Sequence, residues 1–142
     1  MRTQFNAAYP NGWLVLSFTR CGEELVRLAF DDAMVVLDSI PCDAALLHLI
    51  EQASLPAWSE YTYRDLARLG DPTRPPWATL QQLTASLLPA AVVTRLHPER
   101  RLLLVPGEPL HNLPWAALRL GDAWLCERAV PHLLPALALS PP

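Results

Sequence analysis

Three cysteines and four histidines are the residues of this 142-residue chain whose types could do covalent or metal chemistry. A histidine beside a cysteine would make a thiolate nucleophile, and a converging set of both would hold zinc. The spacing favours neither. Cys21, Cys42 and Cys126 are odd in number and widely separated, which matches neither a disulfide framework nor a C-x-x-C metal pair. Cys21 lies beside a turn and Cys42 ahead of a helix, with no histidine close in sequence to act as a base. Cys126 reads as a small hydrophobe on a strand face shared with Trp124. His111 sits in the richest motif of the chain and reads as a half-buried side chain bracing a proline-rich turn. A zinc site from His97, His111, His132 and Cys126 would need ligands converging from irregular spacings. No residue is therefore assigned a catalytic, cofactor-binding or metal-binding role. An enzyme built on His111 and Cys126 is a third reading, and it predicts labelling by a thiol-reactive peptide probe.

Composition narrows the remaining classes. All eleven basic residues are arginines, so a phosphate-binding lysine or a Schiff base is excluded. The net charge of -3 is small and scattered, unlike the basic stripe that nucleic acid requires. With 51% hydrophobic and 18% charged residues the chain is too apolar for disorder. It nevertheless lacks the roughly 18 uninterrupted apolar residues of a membrane span. The first ten residues carry no signal-peptide pattern, so a soluble cytoplasmic protein is expected, with neither nucleic acid nor membrane as partner.

The elements that would position these residues follow from periodicity. Trp13 to Thr19 is rich in aromatic and branched residues between turn formers and reads as a strand. Leu25 to Phe30 and Met34 to Ile40 follow around Asp31-Asp32, giving an antiparallel meander. Leu46, Leu49, Ile50 and Ala53 then share one helical stripe, predicting a helix over Cys42 to Gln52 packed across the meander. Prolines and Gly70 interrupt residues 55–76, with a short helix expected around Tyr63 to Leu69. A second helix spans Trp77 to Leu88, with a short turn or helix after Pro89. Leu102 to Val105 is a continuous apolar run closed by Pro106-Gly107, as in a parallel strand buried on both faces, and is expected at the centre of the sheet. A short strand over Trp124 to Glu127 follows the Gly121-Asp122 turn, and an apolar tail runs from His132 to Leu139.

Such a central strand needs neighbours on both edges and cover on both faces. The sequence supplies only part of these, so further chain or another protein is expected to complete the sheet. Trp13, Trp115 and Trp124 read as core, whereas Trp58 and Trp77 border the proline-rich stretch and are interface candidates. Arg100-Arg101 reads as a solvated strand guard.

The run Leu102-Leu103-Leu104-Val105-Pro106-Gly107-Glu108-Pro109-Leu110-His111-Asn112-Leu113-Pro114-Trp115-Ala116-Ala117-Leu118 resembles a segment of CHAT domains, the caspase-related module usually fused to helical repeats. Trp124-Leu125-Cys126-Glu127-Arg128 is similar to the family's next strand. The residues that carry the resemblance are Val105, Pro106, Gly107, Leu110, His111, Leu113, Pro114, Trp115 and Leu118. Two departures, Gly107-Glu108 for Asp-Gly and Trp115 for Phe, keep the turn-forming and aromatic characters. The order of elements upstream also fits, so the resemblance covers most of the chain.

The resemblance implies an α/β (α+β) fold, with a meander and covering helix (10–54), a proline-rich helical linker (55–76) and the start of a caspase-like mixed sheet with flanking helices (77–142), all one domain. It also implies a His–Cys pair downstream of the matched segment, so this chain would be a non-catalytic, pseudo-protease scaffold. Its expected partners are a downstream catalytic half and tetratricopeptide-like repeats, or another protein chain. No cofactor is implied. The alternative is a stand-alone, non-enzymatic interaction module that uses an open sheet edge or its tryptophans.

Overall fold

The run Trp13-Leu14-Val15-Leu16 is buried on both sides of the backbone, and the sheet is built outward from it. The computed structural model describes residues 2–54 and 77–135. Strands β1 (Trp13–Cys21), β2 (Glu24–Phe30) and β3 (Val35–Pro41) form the expected antiparallel meander. Gly22, at φ +62°, turns β1 into β2. Asp31 closes the next turn: its N–H donates to the Met34 carbonyl (3.0 Å), and its carboxylate accepts from the N–H groups of Ala33 and Met34 (2.8 and 2.7 Å).

Helix α2 (Ala44–Ala53) begins two residues later than periodicity predicts. The cause is Asp43, whose side chain accepts the Leu46 N–H at 2.9 Å and so fixes the N-cap beyond Cys42. Helices α3 (Trp77–Leu87) and α4 (Ala90–Val93) lead to β4 (Arg101–Val105). A 3₁₀ turn (Trp115–Ala117) and a small hairpin, β5 (Arg119–Leu120) and β6 (Ala123–Trp124), come next, then helix α5 (Leu125–Arg128) and strand β7 (Val130–Leu133).

The result is a mixed α/β fold whose five-stranded sheet has the order β3-β2-β1-β4-β7. Strand β4 lies parallel to both β1 and β7, as its two-sided burial predicts. The middle strand, however, is β1 rather than β4. Both carry a continuous apolar run, and only the tertiary arrangement ranks them. Because β1 pairs with β2 on one side and β4 on the other, the meander and the later strands share one sheet.

One face of that sheet packs under α2 and α3. Leu46, Ile50, Leu80, Leu83 and Leu87 meet Leu14, Leu16, Phe18, Leu102 and Leu104 in the main core. On the opposite face the described residues bury only Trp13, Val15, Phe30 and Leu103, with Phe5, Tyr9, Leu28 and Leu134 packed against them. Phe5 and Tyr9 belong to a helix (α1, Arg2–Ala8) and its exit turn, which the sequence reading does not anticipate. With Phe5 its one large apolar side chain in seven residues, α1 has no periodic stripe; it is held by contact, the Phe5 ring centre lying 4.8 Å from that of Trp13 and Asn6 accepting the indole N–H at 2.7 Å. Among the described residues no helix is long and apolar enough to cross a membrane. The expected helix at Tyr63 to Leu69 and the tail beyond residue 135 lie outside the described residues.

Two arginine–aspartate systems, each with one buried member, Arg27 and Asp31, tie the elements together. Arg27 on β2 forms a two-pronged ion pair with Asp38 on β3 (2.8 and 2.6 Å) and donates to the carbonyls of Ser86 and Leu87 at the end of α3 (3.0 and 3.1 Å). It thereby satisfies two of the orphan acceptors of that helix terminus. Asp31, with no exposed surface, receives Arg95 (2.8 Å) and Arg100 (2.9 Å). Arg100 also donates to the carbonyls of Trp13 and Arg95, so it is an internal tie at the start of β4 and not the solvated guard expected of it.

Candidate functional site

Parallel strands gather functional residues at their carboxyl ends, where successive loops converge. Here that end is formed by β1 and β4. Between them opens a cleft of about 410 Å³ lined by Ser17, Thr19, Arg20, Val105, Gly107 and Glu108, with Phe18 and Pro135. The Leu102 to Leu118 motif builds its floor. Val105 ends β4 half-buried, Pro106 is buried, and the chain turns at Gly107 with φ +57°. A Cβ at Gly107 would run into the backbone carbonyl oxygen of Phe18, so glycine is required by both conformation and space.

Beyond the turn the motif becomes core. Leu110, Leu113, Trp115 and Leu118 are all buried, the Trp115 ring lies 5.7 Å from that of Phe18, and its indole N–H donates to the Leu110 carbonyl at 3.3 Å. Pro114 starts the 3₁₀ turn that delivers Trp115 to this position. Most of the motif thus anchors the loop to β1.

His111 is exposed rather than half-buried. Its Nε2 lies 2.9 Å from Glu108 Oε1, across the Gly107 turn. That contact spans the turn on its solvent side. Cys126 is likewise exposed, because residues 125–128 are helical and not a strand. The local reason is Glu127: its carboxylate accepts the Trp124 N–H at 2.7 Å, capping a helical turn that buries Leu125 and turns Cys126 outward. Cys42 is buried and Cys21 exposed at the tip of β1, where the neighbouring Arg20 donates to the Gly22 carbonyl.

Among the described residues no hydrogen bond joins a histidine to a cysteine, and no three metal-ligating side chains converge. The residues of the hypothetical zinc set turn to separate neighbours. His97 Nδ1 accepts the Glu99 N–H, and His132 stands edge-on to Tyr9 with Nε2 3.3 Å from Arg101 Nη1.

Sequence reasoning missed Arg119. It is 2% exposed, with its guanidinium carbon 3.5 Å from the Trp77 ring centre and 4.1 Å from that of Trp124. Nη2 donates to the Gly121 carbonyl, while Nε and Nη1 have no hydrogen-bond partner among the described residues. The two indole faces offset part of that burial cost. Trp77 is therefore half-buried against Arg119, and Trp124 is only half-buried instead of core. Arginine and its flanking tryptophans are 42 and 5 positions apart in sequence, so no local pattern links all three. Trp58 lies outside the described residues. Trp13 and Trp115 are buried as expected.

No model of a known protein family matches this sequence. A comparison with curated proteins returns no match either.

Proposed function

We propose that the chain is the non-catalytic front section of a CHAT-type, caspase-like unit, a scaffold whose parallel strands support a catalytic half and helical repeats carried elsewhere. One observation supports this reading above the others. The segment that resembles the family runs from a two-sided buried parallel strand into a loop at the carboxyl end of that strand, and the next strand, β7, continues the sheet in the same direction. A base and a thiol supplied by further strands of that direction would arrive at the same end as the Gly107 turn. The motif residues would act as a fixed wall: Gly107 against β1, Trp115 against Phe18, and His111 with Glu108 across the turn.

The test is to extend the polypeptide with the residues encoded after Pro142 in its parent reading frame and to expose both forms to a thiol-reactive peptide probe. The expected result is a Thr-His-Gly-like strand end and a cysteine-bearing turn in the extension, with probe labelling of the extended form alone. Labelling of Cys21 or Cys126 in the 142-residue chain at the same rate would defeat the scaffold reading. So would a parent frame with neither feature.

A further inference from the structure

The two outer strands of the sheet are not equivalent. Successive residues of a strand turn their backbone N–H and C=O groups to opposite edges. Asp31 donates to the Met34 carbonyl and Cys42 to the Glu23 carbonyl, so the even-numbered residues of β3 bond to β2. Val35, Leu37 and Ser39 consequently turn their backbone groups outward. On the far side, Val130 and Leu134 donate to the carbonyls of Arg100 and Leu104. Pro131 and Leu133 then face out from β7, and proline has no N–H to offer another strand.

An open edge is ordinarily guarded by lysine, proline or a bulge. Strand β7 has Pro131. Among the described residues, strand β3 has none of these from Val35 to Ser39: its register with β2 is continuous from Glu24–Pro41 to Phe30–Val35, and Pro41, outward by the same parity, comes only at its last residue. Its one charge, Asp38, is engaged by Arg27. Val35 and Leu37 are 63% and 69% exposed. They share the thinly covered sheet face with Leu28 and Phe30, their β2 neighbours.

We propose that β3 is a self-association edge, at which a second copy of this chain adds its own β3 in antiparallel register about a two-fold axis. The strip is self-complementary. An axis at Val36 sets Val35 opposite Leu37 of the second copy, both with outward backbone groups, and closes four backbone hydrogen bonds while burying apolar against apolar. In that register Asp38 faces Met34 of the second copy, whereas an axis at Asp38 would oppose two carboxylates. An uncharged strip offers nothing to an acidic or basic peptide, which favours a copy of itself. A single strand pair falls short of the roughly 1,200 Å² buried in stable complexes, so the dimer is weak and concentration-dependent. The inference goes beyond the proposed function and does not depend on it.

Sedimentation equilibrium over a concentration series tests it. The wild-type mass should rise from 15.8 kDa towards twice that value. Leu37→Lys and, separately, Val35→Lys should stay monomeric across the same series with unchanged circular dichroism, because neither side chain contributes to the main core. Amide exchange at Val35 and Leu37 should slow in the concentrated wild type. A wild-type chain that remains at 15.8 kDa to its solubility limit overturns the proposal, as does association that survives both lysines.

Discussion

Leu103 and Leu104 are neighbours on β4, each with no exposed surface, yet they belong to different cores. Among the described residues, Leu104 lies under α2 and α3 in a cluster of 22 buried residues that includes it, whereas Leu103 shares its side with three others beneath the short α1. The first environment is a helix-on-sheet layer held by Arg27 and by many interlocking side chains. The second is a sheet face closed by Phe5, Tyr9 and Leu134. Equal burial therefore does not mean equal support: the cost of a cavity depends on how many neighbours are fixed around it and how readily they can collapse.

Removing the buried carboxylate that joins the β2–β3 turn to the start of β4 should have the largest effect. Asp31→Ala leaves two backbone N–H groups and two arginines without their acceptor, and an unfolding free energy lower by about 3–5 kcal/mol is expected in urea titration. The same carboxylate predicts the acid limit. Burial alone would raise the pKa of Asp31, but the N–H groups of Ala33 and Met34 and the Arg100 guanidinium outweigh it, holding the pKa below its ordinary value of 3.8. Arg27 lowers that of Asp38 in the same direction. The folded chain thus binds fewer protons than the unfolded one. Stabilisation is complete above the ordinary carboxylate value and is lost as pH falls through the depressed one, so the midpoint of urea unfolding should drop on acidification below pH 4 or so. Asp31→Asn should flatten that dependence.

The comparison of faces is sharpened by truncating the β4 neighbours in turn. Leu104→Ala should cost near the upper end of the usual range of about 2–5 kcal/mol, and Leu103→Ala near the lower end. Equal losses would show that α1 supports its face as firmly as α2 and α3 support theirs. Phe5→Ala, at a half-buried position, should cost about 1–2 kcal/mol and speed amide exchange in α1 and at Trp13 without affecting the main core. Smallest of all, Leu37→Lys should change monomer stability by no more than about 0.5 kcal/mol.

Where the sequence read correctly, the cause was local. The meander, α2, α3 and the two-sided burial of Leu102 to Leu104 follow from period and punctuation, each decided within about ten residues. The candidate site was half legible for the same reason: the Gly107 turn and the buried leucines of the motif are written in one continuous stretch. Three readings failed where partners come from afar or where a short local bond competes with pattern. Arg100 looked like a surface guard because Asp31 lies 69 positions away. Helix α1 lacks a stripe because Phe5 is its one large apolar side chain, and that residue finds Trp13 only after folding. Trp124 to Glu127 reads as a strand after the Gly121-Asp122 turn, but the bond from Trp124 N–H to Glu127 curls residues 125–128 into a helix and exposes Cys126.

The sequence by itself determined the meander, α2, α3, the apolar run of β4 and the turns between them, since these depend on spacing along the chain. Only the tertiary structure decided that β1 and not β4 is central, that Arg119 lies between two tryptophans, and that one outer strand carries a proline within its outward edge while the other carries one only at its end. Those outcomes rest on which distant segments become neighbours and on the parity of backbone groups at an edge, and both are set only when the strands pair.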